Sequence, residues 1–282
     1  MLWRLNFVQK NTLKLFDAHC DTLSKDGKLQ TARRGQFAAY TQVYAIWGDR
    51  HCGYKNRFIP QLEKYRNAGS PGLLAVEGAH LLDCSLANLE LAAEEGVRLL
   101  NFTWNNANLL SGTCAEEPFR GLSELGRKFA AKCAELRVLV DVSHLSEAGF
   151  WDVAAVSRML NVPFVASHSN SKALCDCPRN LTDSQYKAIA KSGGVTGVNL
   201  HSGFLAAGGT ASVADVTTHI CRFLELDENA VGLGTDFDGG ITPPEGLETV
   251  ESLVRLYEAL EKTAGEKLAD AVFYDNWARV LQ

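Results

Sequence analysis

The chain has 282 residues, a formal net charge of −5 and 46% hydrophobic residues. This length fits one large α/β domain, because an α/β barrel takes roughly 250 residues. The negative balance and the lack of a basic run exclude the electrostatic footprint of a protein that binds nucleic acid or anionic lipid.

Eight apolar runs follow one another along the chain, and most of them are continuous, as strands buried on both faces require. They cover residues 14–19, 42–47, 73–77, 98–102, 138–143, 164–167, 194–200 and 230–235. Helical patterns with capping residues lie between and after them, at residues 86–95, 123–136, 146–160, 182–191, 213–226, 247–261 and 266–281. Such a series of β–α units predicts a TIM-type (β/α)8 barrel. A doubly wound sheet would instead have a glycine-rich turn after its first strand, whereas this chain has His19-Cys20-Asp21 there.

The chain gives no sign of a membrane segment or a leader peptide. No stretch approaches the ~20 apolar residues of a membrane span, and residues 1–14 mix polar with apolar side chains. We therefore expect one soluble, cytoplasmic domain over residues 1–282. The eight cysteines include no CxxC pair, so we expect free thiols rather than a disulfide framework.

Ionisable side chains follow five of the predicted strands, at the ends where barrel enzymes carry their active sites. They are His19 and Asp21 after the first strand, Glu77 after the third, His144 after the fifth, His168 after the sixth and Asp236 after the eighth. His19 and Asp21 stand two residues apart, so both side chains point to one face while Cys20 turns away. Because burying such groups is costly without a cation, the pattern predicts a metal centre on this rim.

The donor set suits Zn²⁺, which binds imidazole and carboxylate at ~2.0–2.2 Å. Five ligands exceed the need of one zinc, so we predict two ions that share Glu77. His19 and Asp21 would hold one ion, and His144 and His168 the other. A bridging hydroxide would be the nucleophile, and Asp236 would take its proton and deliver it to the leaving nitrogen. Mn²⁺ and Co²⁺ suit the same site.

Each of these residues also has an ordinary structural interpretation when it is taken alone. A histidine at a strand end is more often a satisfied polar residue than a ligand. Glu77 alone fits a salt bridge, and Asp236 alone fits a helix cap. The metal interpretation rests on their coincidence at one kind of position.

Seven motifs together resemble the membrane (renal) dipeptidase family of zinc peptidases, in the amidohydrolase-like barrel superfamily. They are Asp17-Ala18-His19-Cys20-Asp21, Val76-Glu77-Gly78, Asp141-Val142-Ser143-His144, Ser167-His168-Ser169, Arg179-Asn180-Leu181, Gly234-Thr235-Asp236-Phe237-Asp238-Gly239 and Pro244-Glu245-Gly246-Leu247-Glu248. The resemblance implies hydrolysis of dipeptides with two zinc ions, including dipeptides with a C-terminal D-residue. It also implies that Arg179 binds the substrate's C-terminal carboxylate, which suits a guanidinium. Asn180 joins Arg179 as a substrate-binding candidate.

The chain departs from the animal members of that family in three respects. Trp104 stands where, in our alignment, they carry a substrate-contacting histidine, and its indole offers an apolar wall for a substrate side chain. The signal peptide and lipid-anchor tail are missing, so no membrane attachment is expected. The loops are also short, which predicts a more open pocket.

His201, after the seventh predicted strand, faces the rim and is a further candidate for substrate contact. Family members are often dimeric, which leaves a homodimer open.

Two other functions stay open at this stage. A barrel amidohydrolase acting on another amide, a lactone or an ester would use the same metal centre, although Arg179 favours a substrate with a free carboxylate. A non-catalytic, metal-dependent scaffold is disfavoured by the complete ligand set. Small dipeptides are therefore the expected substrates.

Overall fold

One curled sheet of parallel strands organises the fold. The computed structural model describes residues 13–25 and 37–282. Within them the strands are β1 (Lys14–Cys20), β2 (Ala39–Trp47), β3 (Leu73–Glu77), β4 (Val97–Asn101), β5 (Leu139–Asp141), β6 (Thr196–Val198) and β7 (Val231–Leu233). Their order in the sheet is β5-β4-β3-β2-β1-β7-β6. Successive strands are neighbours from β1 to β5, and β7 returns to β1. The sheet therefore curls and does not reverse at a switch point, as a doubly wound sheet would.

Helices alternate with these strands. Among the described residues they are α1 (Ile59–Asn67), α2 (Leu86–Glu94), α3 (Glu124–Leu136), α4 (Glu147–Leu160), α5 (Asp183–Lys191), α6 (Ser202–Leu205), α7 (Val213–Leu226), α8 (Leu253–Ala264), α9 (Glu266–Asp270) and α10 (Asn276–Leu281). The predicted N-caps Ser146 and Thr182 accept backbone N–H groups three residues on, as capping requires. We find no described helix with the length and apolar character needed to cross a bilayer.

The sixth predicted strand, residues 164–167, is present only as isolated bridges. Val165 pairs with Asp141 of β5, and Ala166 pairs with Thr196 of β6. The ladder ends there because side chains replace carbonyl acceptors: Ser167 N donates to Asp141 Oδ1 (3.0 Å), and His168 N donates to Ser143 Oγ (3.2 Å). The segment therefore lies between the two edge strands, but it is too short to count as a strand.

The other differences from the predicted elements concern helices. The sequence patterns predict neither α1 nor the short helix α6. The helix predicted over 247–261 begins only at Leu253, after a 3₁₀ turn at Val250–Ser252. The helix predicted over 266–281 is interrupted by a π-helical turn at Ala271–Asp275. The prediction that no leader precedes the domain falls on residues 1–12, outside the described residues.

Apolar side chains fill both the interior of the curl and the space between sheet and helices. Phe16, Val43, Leu99 and Val165 form one buried cluster with Trp277 of α10. Larger clusters lie under α1–α4 and under α7–α9. Burial of this apolar area is the main stabilising contribution, and it leaves the carboxyl ends of the strands to polar groups.

Candidate active site

The six ionisable residues predicted on the rim converge at the carboxyl ends of the strands. Five of them are almost fully buried, with exposed fractions of 0% for His19, 4% for Asp21, 2% for Glu77, 7% for His144 and 1% for His168. The side chain of Asp236 is 15% exposed. The structure thus brings together all the predicted metal ligands and the predicted proton acceptor.

Glu77, the last residue of β3, lies at the centre of this group, and its two oxygens face different histidines. Oε1 lies 2.9 Å from His144 Nε2 and 3.4 Å from His168 Nε2. Oε2 lies 3.7 Å from His19 Nε2. One carboxylate therefore connects two groups of potential ligands.

Several atoms around His19 that could bind a metal ion lack hydrogen-bond partners among the described residues. His19 Nε2 lies 3.7 Å from Asp21 Oδ1 and 3.9 Å from Asp236 Oδ1. His19 Nε2, Asp21 Oδ1 and Glu77 Oε2 are buried and have no hydrogen-bond partner among the described residues. A tetrahedral ion with ligand bonds of about 2.1 Å would separate its ligands by about 3.4 Å. The observed spacings fit an ion at this position, and a buried polar atom without one is costly.

Burial shifts the pKa values of the imidazoles and of the carboxylates in opposite directions. It raises the pKa of Glu77 and of Asp21 well above their usual range, and neighbouring carboxylates reinforce this. Burial lowers the pKa of His144 and His168 well below the usual value. Burial and, to a smaller extent, the positive charge of Arg179 lower the pKa of His19 to about 3. The imidazoles are therefore neutral, as metal ligation requires, whereas the carboxylates need a cation to offset their burial and their mutual repulsion.

Two of the rim residues have an unusual backbone conformation. His144 (φ 70°) and Asp236 (φ 63°) lie in the left-handed region, which costs about 1–3 kcal/mol for a residue with a side chain. Hydrogen bonds hold both: His144 Nδ1 lies 3.0 Å from Asn105 Oδ1, and Asn199 Nδ2 donates to Asp236 Oδ2 (2.9 Å). With Nδ1 occupied, Nε2 of His144 is the nitrogen directed at Glu77.

Two buried aspartates one layer deeper fasten the strand ends. Asp17 accepts the N–H of Thr235 (2.8 Å) and its hydroxyl (2.7 Å), which ties β1 to the end of β7. Asp141 Oδ1 accepts the N–H groups of Ser143 (2.9 Å) and Ser167 (3.0 Å), each the residue before a histidine ligand candidate. The sequence places Asp17 on this face, but the role of Asp141 was missed, although the spacing Asp-x-Ser-His at residues 141–144 is a usable signal.

A cavity of about 180 Å³ opens above these groups. Its lining includes Asp21, Glu77, His144, Asp236 and the predicted substrate contacts Trp104, Arg179 and His201, together with Trp47, Asn105, Phe204 and Ile241. The Arg179 guanidinium lies 5.5 Å from the centre of the Phe204 ring and donates to His168 O (3.4 Å). The cavity thus has an acidic floor and a cationic side.

Trp47 was missed as a cavity residue, although it ends the predicted second strand and its rim position could have been inferred. Its ring meets Trp104 edge to face, with ring centres 5.1 Å apart. Gln61 of α1 holds its backbone, because Trp47 N donates to Gln61 Oε1 (3.0 Å) and Gln61 Nε2 donates to Trp47 O (2.7 Å). The unpredicted helix α1 therefore fixes one wall of the cavity.

Asn180 has a different place from Arg179. Its Nδ2 donates to the carbonyl oxygens of Cys175 (2.9 Å) and Phe204 (2.8 Å), so it fastens the loop that carries Arg179. It lines an adjoining pocket rather than the cavity above the ligand candidates. Its substrate contact, like those of Trp104 and His201, stays a prediction.

Comparison with known proteins places this geometry in a family context. The family model described as membrane dipeptidase (peptidase family M19) matches residues 60–282. That range includes Glu77, His144, His168, Arg179 and Asp236, while His19 and Asp21 precede it.

Three curated proteins are similar to this chain over part or most of its length. The chain is 38% identical over 219 residues to an uncharacterized Klebsiella pneumoniae protein in the pqqA 5' region, a match that covers 73% of this chain and 79% of that one. It spans about half the length of two further curated relatives, from Acinetobacter calcoaceticus and Schizosaccharomyces pombe.

Two crystal structures have similar folds over nearly the whole chain. A dipeptidase described as an M19 metallopeptidase has a TM-score of 0.82 at 27% identity, covering 96% of this chain and 98% of that chain. A metallopeptidase from Rhodobacter sphaeroides, bound to a phosphinate mimic of the dipeptide L-Ala-D-Ala, has a TM-score of 0.82 at 26% identity, covering 96% and 99%.

Proposed function

This chain belongs to the membrane dipeptidase family (peptidase family M19), and we propose that it is a metal-dependent dipeptidase that hydrolyses the peptide bond of dipeptides. The observation that carries the proposal is the position of Glu77 between two groups of buried ligand candidates, beneath a cavity that Arg179 also lines. Dipeptides with a C-terminal D-residue are included, because the similar Rhodobacter sphaeroides enzyme was crystallised with a mimic of L-Ala-D-Ala.

Two divalent cations fit the donor set, and we propose Zn²⁺. His19 and Asp21 would hold one ion and His144 and His168 the other, with one oxygen of Glu77 for each. The unpartnered atoms His19 Nε2, Asp21 Oδ1 and Glu77 Oε2 support this arrangement. When bound, such ions supply a hydroxide nucleophile at neutral pH and polarise the scissile carbonyl.

Asp236 is the proposed proton carrier. Burial raises its pKa to about 6, so the carboxylate is deprotonated at neutral pH but close enough to its pKa to accept a proton. Oδ2 accepts a hydrogen bond from Asn199, which leaves Oδ1, on the His19 side, for proton transfer. The proton then passes from Asp236 to the leaving amine of the C-terminal residue.

Arg179 orients the substrate. A guanidinium binds a carboxylate through two parallel hydrogen bonds, and Arg179 reaches the cavity from the loop after residues 164–167. Trp47 and Trp104 come from β2 and from the loop after β4, so they approach from a different part of the sheet. With its carboxylate at Arg179, a dipeptide would direct its N-terminal side chain toward the two indoles.

We also propose that residues 164–167 close the sheet into a (β/α)8 barrel as its missing strand. Val165 N donates to Val140 O (3.0 Å) on one edge, and Ala166 N donates to Val195 O (3.1 Å) on the other. Both edges are thus joined through the same segment, which supports closure.

The test is hydrolysis of a dipeptide panel by protein that a chelator has freed of metal, before and after addition of Zn²⁺, Mn²⁺ or Co²⁺. L-Ala-L-Ala and L-Ala-D-Ala are the substrates, and a tripeptide and N-acetyl-L-Ala-L-Ala are the controls. We expect metal-restored cleavage of free dipeptides only, and bound metal measured at two ions per chain. Glu77→Gln should lose both activity and metal, whereas Glu63→Gln, an exposed position on α1, should lose neither. Cleavage of lactones or neutral esters with no dipeptide hydrolysis would contradict the proposal.

A further inference from the structure

A second pocket, of about 130 Å³, adjoins the cavity and shares His144 and Arg179 with it. Lys172, Ser169, Cys114 and Thr182 also line this second pocket. We propose that it binds the acidic side chain of the substrate's C-terminal residue, so that the enzyme favours dipeptides ending in Asp or Glu. This inference rests on the proposed dipeptidase function, and we call the site the acid-side-chain pocket.

Its position relative to Arg179 is the first argument. Arg179 lines both the pocket and the cavity, so a substrate whose α-carboxylate meets the guanidinium has its C-terminal side chain close to the pocket. A carboxymethyl group has four heavy atoms, and a single water takes about 30 Å³, so the pocket is large enough for this group.

Charge is the second argument. Arg179 and Lys172 are the cations of the lining, and Glu147, which is exposed, is its one carboxylate. With Arg179 paired to the α-carboxylate of the substrate, Lys172 is the cation left for the side chain. Lys172 Nζ lies 3.7 Å from Asp176 Oδ1, but the Asp176 side chain is 89% exposed, and such pairs contribute little. Lys172 thus remains able to bind a carboxylate. Cys114 adds no charge, because burial raises the pKa of its thiol.

Ser169 provides the third and independent argument. It is 2% exposed, it lines the pocket, and its hydroxyl has no hydrogen-bond partner among the described residues. A buried hydroxyl without a partner is costly, and a bound carboxylate would accept its hydrogen bond. The helices α4 and α5 also begin at this pocket, next to Glu147 and Thr182, and their N-terminal ends favour negative charge.

One group in the lining opposes this preference. The Oδ1 of Asn180 is buried and has no partner among the described residues, and it is an acceptor that would favour an amide side chain over an acid. Lys172 and Ser169 favour the acid. A comparison of Asp with its neutral isostere Asn therefore measures directly which groups prevail.

The experiment compares kcat/KM for L-Ala-L-Asp with that for L-Ala-L-Asn, and repeats the comparison with D-Asp and D-Asn. We expect a wild-type Asp/Asn ratio of about 10 or more, since a charged hydrogen-bonded pair contributes on this scale. Lys172→Met should bring the ratio near 1, and Lys172→Glu should bring it below 1. Because each ratio is taken within one variant, a general loss of activity cancels. Lys187→Met, the same change at an exposed position on α5, should leave the ratio unaltered.

A binding measurement separates this inference from the proposed function. Calorimetric titration of the same proteins with free aspartate and asparagine should show tighter binding of aspartate to the wild type and loss of that difference in Lys172→Met. If dipeptides are hydrolysed but the Asp/Asn ratio is 1 or less and does not respond at position 172, the acid-side-chain pocket is wrong while the dipeptidase stands. If no dipeptide is hydrolysed, the proposed function fails, and the titration alone decides the pocket.

Discussion

Asp141 offers the sharpest test of how the fold supports the proposed metal ligands. Its Oδ1 accepts two buried backbone N–H groups, those of Ser143 and Ser167, while its Oδ2 has no partner among the described residues. Asp141→Ala leaves both N–H groups without an acceptor. At about 1–3 kcal/mol for each buried group, we expect a loss of about 2–6 kcal/mol in the free energy of unfolding. That is a large part of the 5–15 kcal/mol that is typical of a folded domain.

Asp141→Asn separates the acceptor from the charge. The amide keeps one oxygen for the two N–H groups and places its NH₂ where Oδ2 already lacks a partner. We expect Asn to destabilise by about 1 kcal/mol or less, because both hydrogen bonds persist. The two N–H groups belong to Ser143 and Ser167, the residues directly before His144 and His168. Asp141→Ala should therefore also weaken zinc binding by about 10–100-fold, which is the usual effect of losing a residue that supports a metal ligand.

The assays are urea unfolding of the metal-free variants and zinc competition with a chromophoric chelator. Asp152→Ala is the matched control, because Asp152 also accepts a backbone N–H, that of Leu122 (2.8 Å), but lies on α4 away from the ligands. It should lower stability and leave zinc affinity unchanged. Equal stability of Asp141→Ala and Asp141→Asn, or unchanged zinc affinity in Asp141→Ala, would refute the reasoning.

Three further predictions concern the cavity. The pKa of Asp236 is raised to about 6, and its deprotonated form is the proposed active one. We therefore expect kcat/KM to fall as the pH falls below about 6, and bound cations would move this fall to a lower pH. Asp236→Asn should reduce kcat by about 10²–10⁴-fold, and a kcat that this substitution leaves unchanged would contradict this role. Arg179→Lys should lower kcat/KM for dipeptides at least about 10-fold, since lysine cannot form the paired hydrogen bonds. A dipeptide amide, which lacks the carboxylate, should lose nothing further in that variant. Trp104→Ala should reduce kcat/KM about 10-fold more for L-Leu-L-Ala than for Gly-L-Ala, because a buried leucine side chain contributes about 1.5–3 kcal/mol. Equal losses for the two substrates would exclude the indole as a wall for the N-terminal side chain.

The rim could be predicted from the sequence because two regular rules determine it. Continuous apolar runs predict parallel strands, and the residue after each run lies at the carboxyl end of the sheet. Those rules place His19, Glu77 and Asp236 without any knowledge of the loops. They also predict all seven strands of the described residues. They fail for 164–167 only because side chains there take over the hydrogen bonds of the ladder.

What the rules missed lies in the loops and in contacts between distant segments. Phe204 reaches the cavity from the short helix α6 and Ile241 from a loop, and no periodicity in the sequence predicts either position. Lys172 is one charged residue among many until the fold places it beside Arg179 and the buried hydroxyl of Ser169. The left-handed backbone at His144 also depends on its neighbours, since histidine adopts a positive φ more readily than most residues but its presence alone does not predict one.

The N-terminal ligand candidates are part of the site because the end of the chain's last strand holds them. Asp236 N donates to His19 O (3.1 Å), and Asp21 N donates to Phe237 O (2.9 Å). Thr22 Oγ1 donates to Asp238 Oδ2 (2.6 Å), a side-chain hydrogen bond that joins the same two segments. The loop that presents Asp236 therefore also sets the spacing of His19 and Asp21, although these two residues precede the region matched by the family model. A change in this C-terminal loop should thus disturb the proposed metal ligands His19 and Asp21 as well as the proposed proton carrier Asp236, since hydrogen bonds hold the three together.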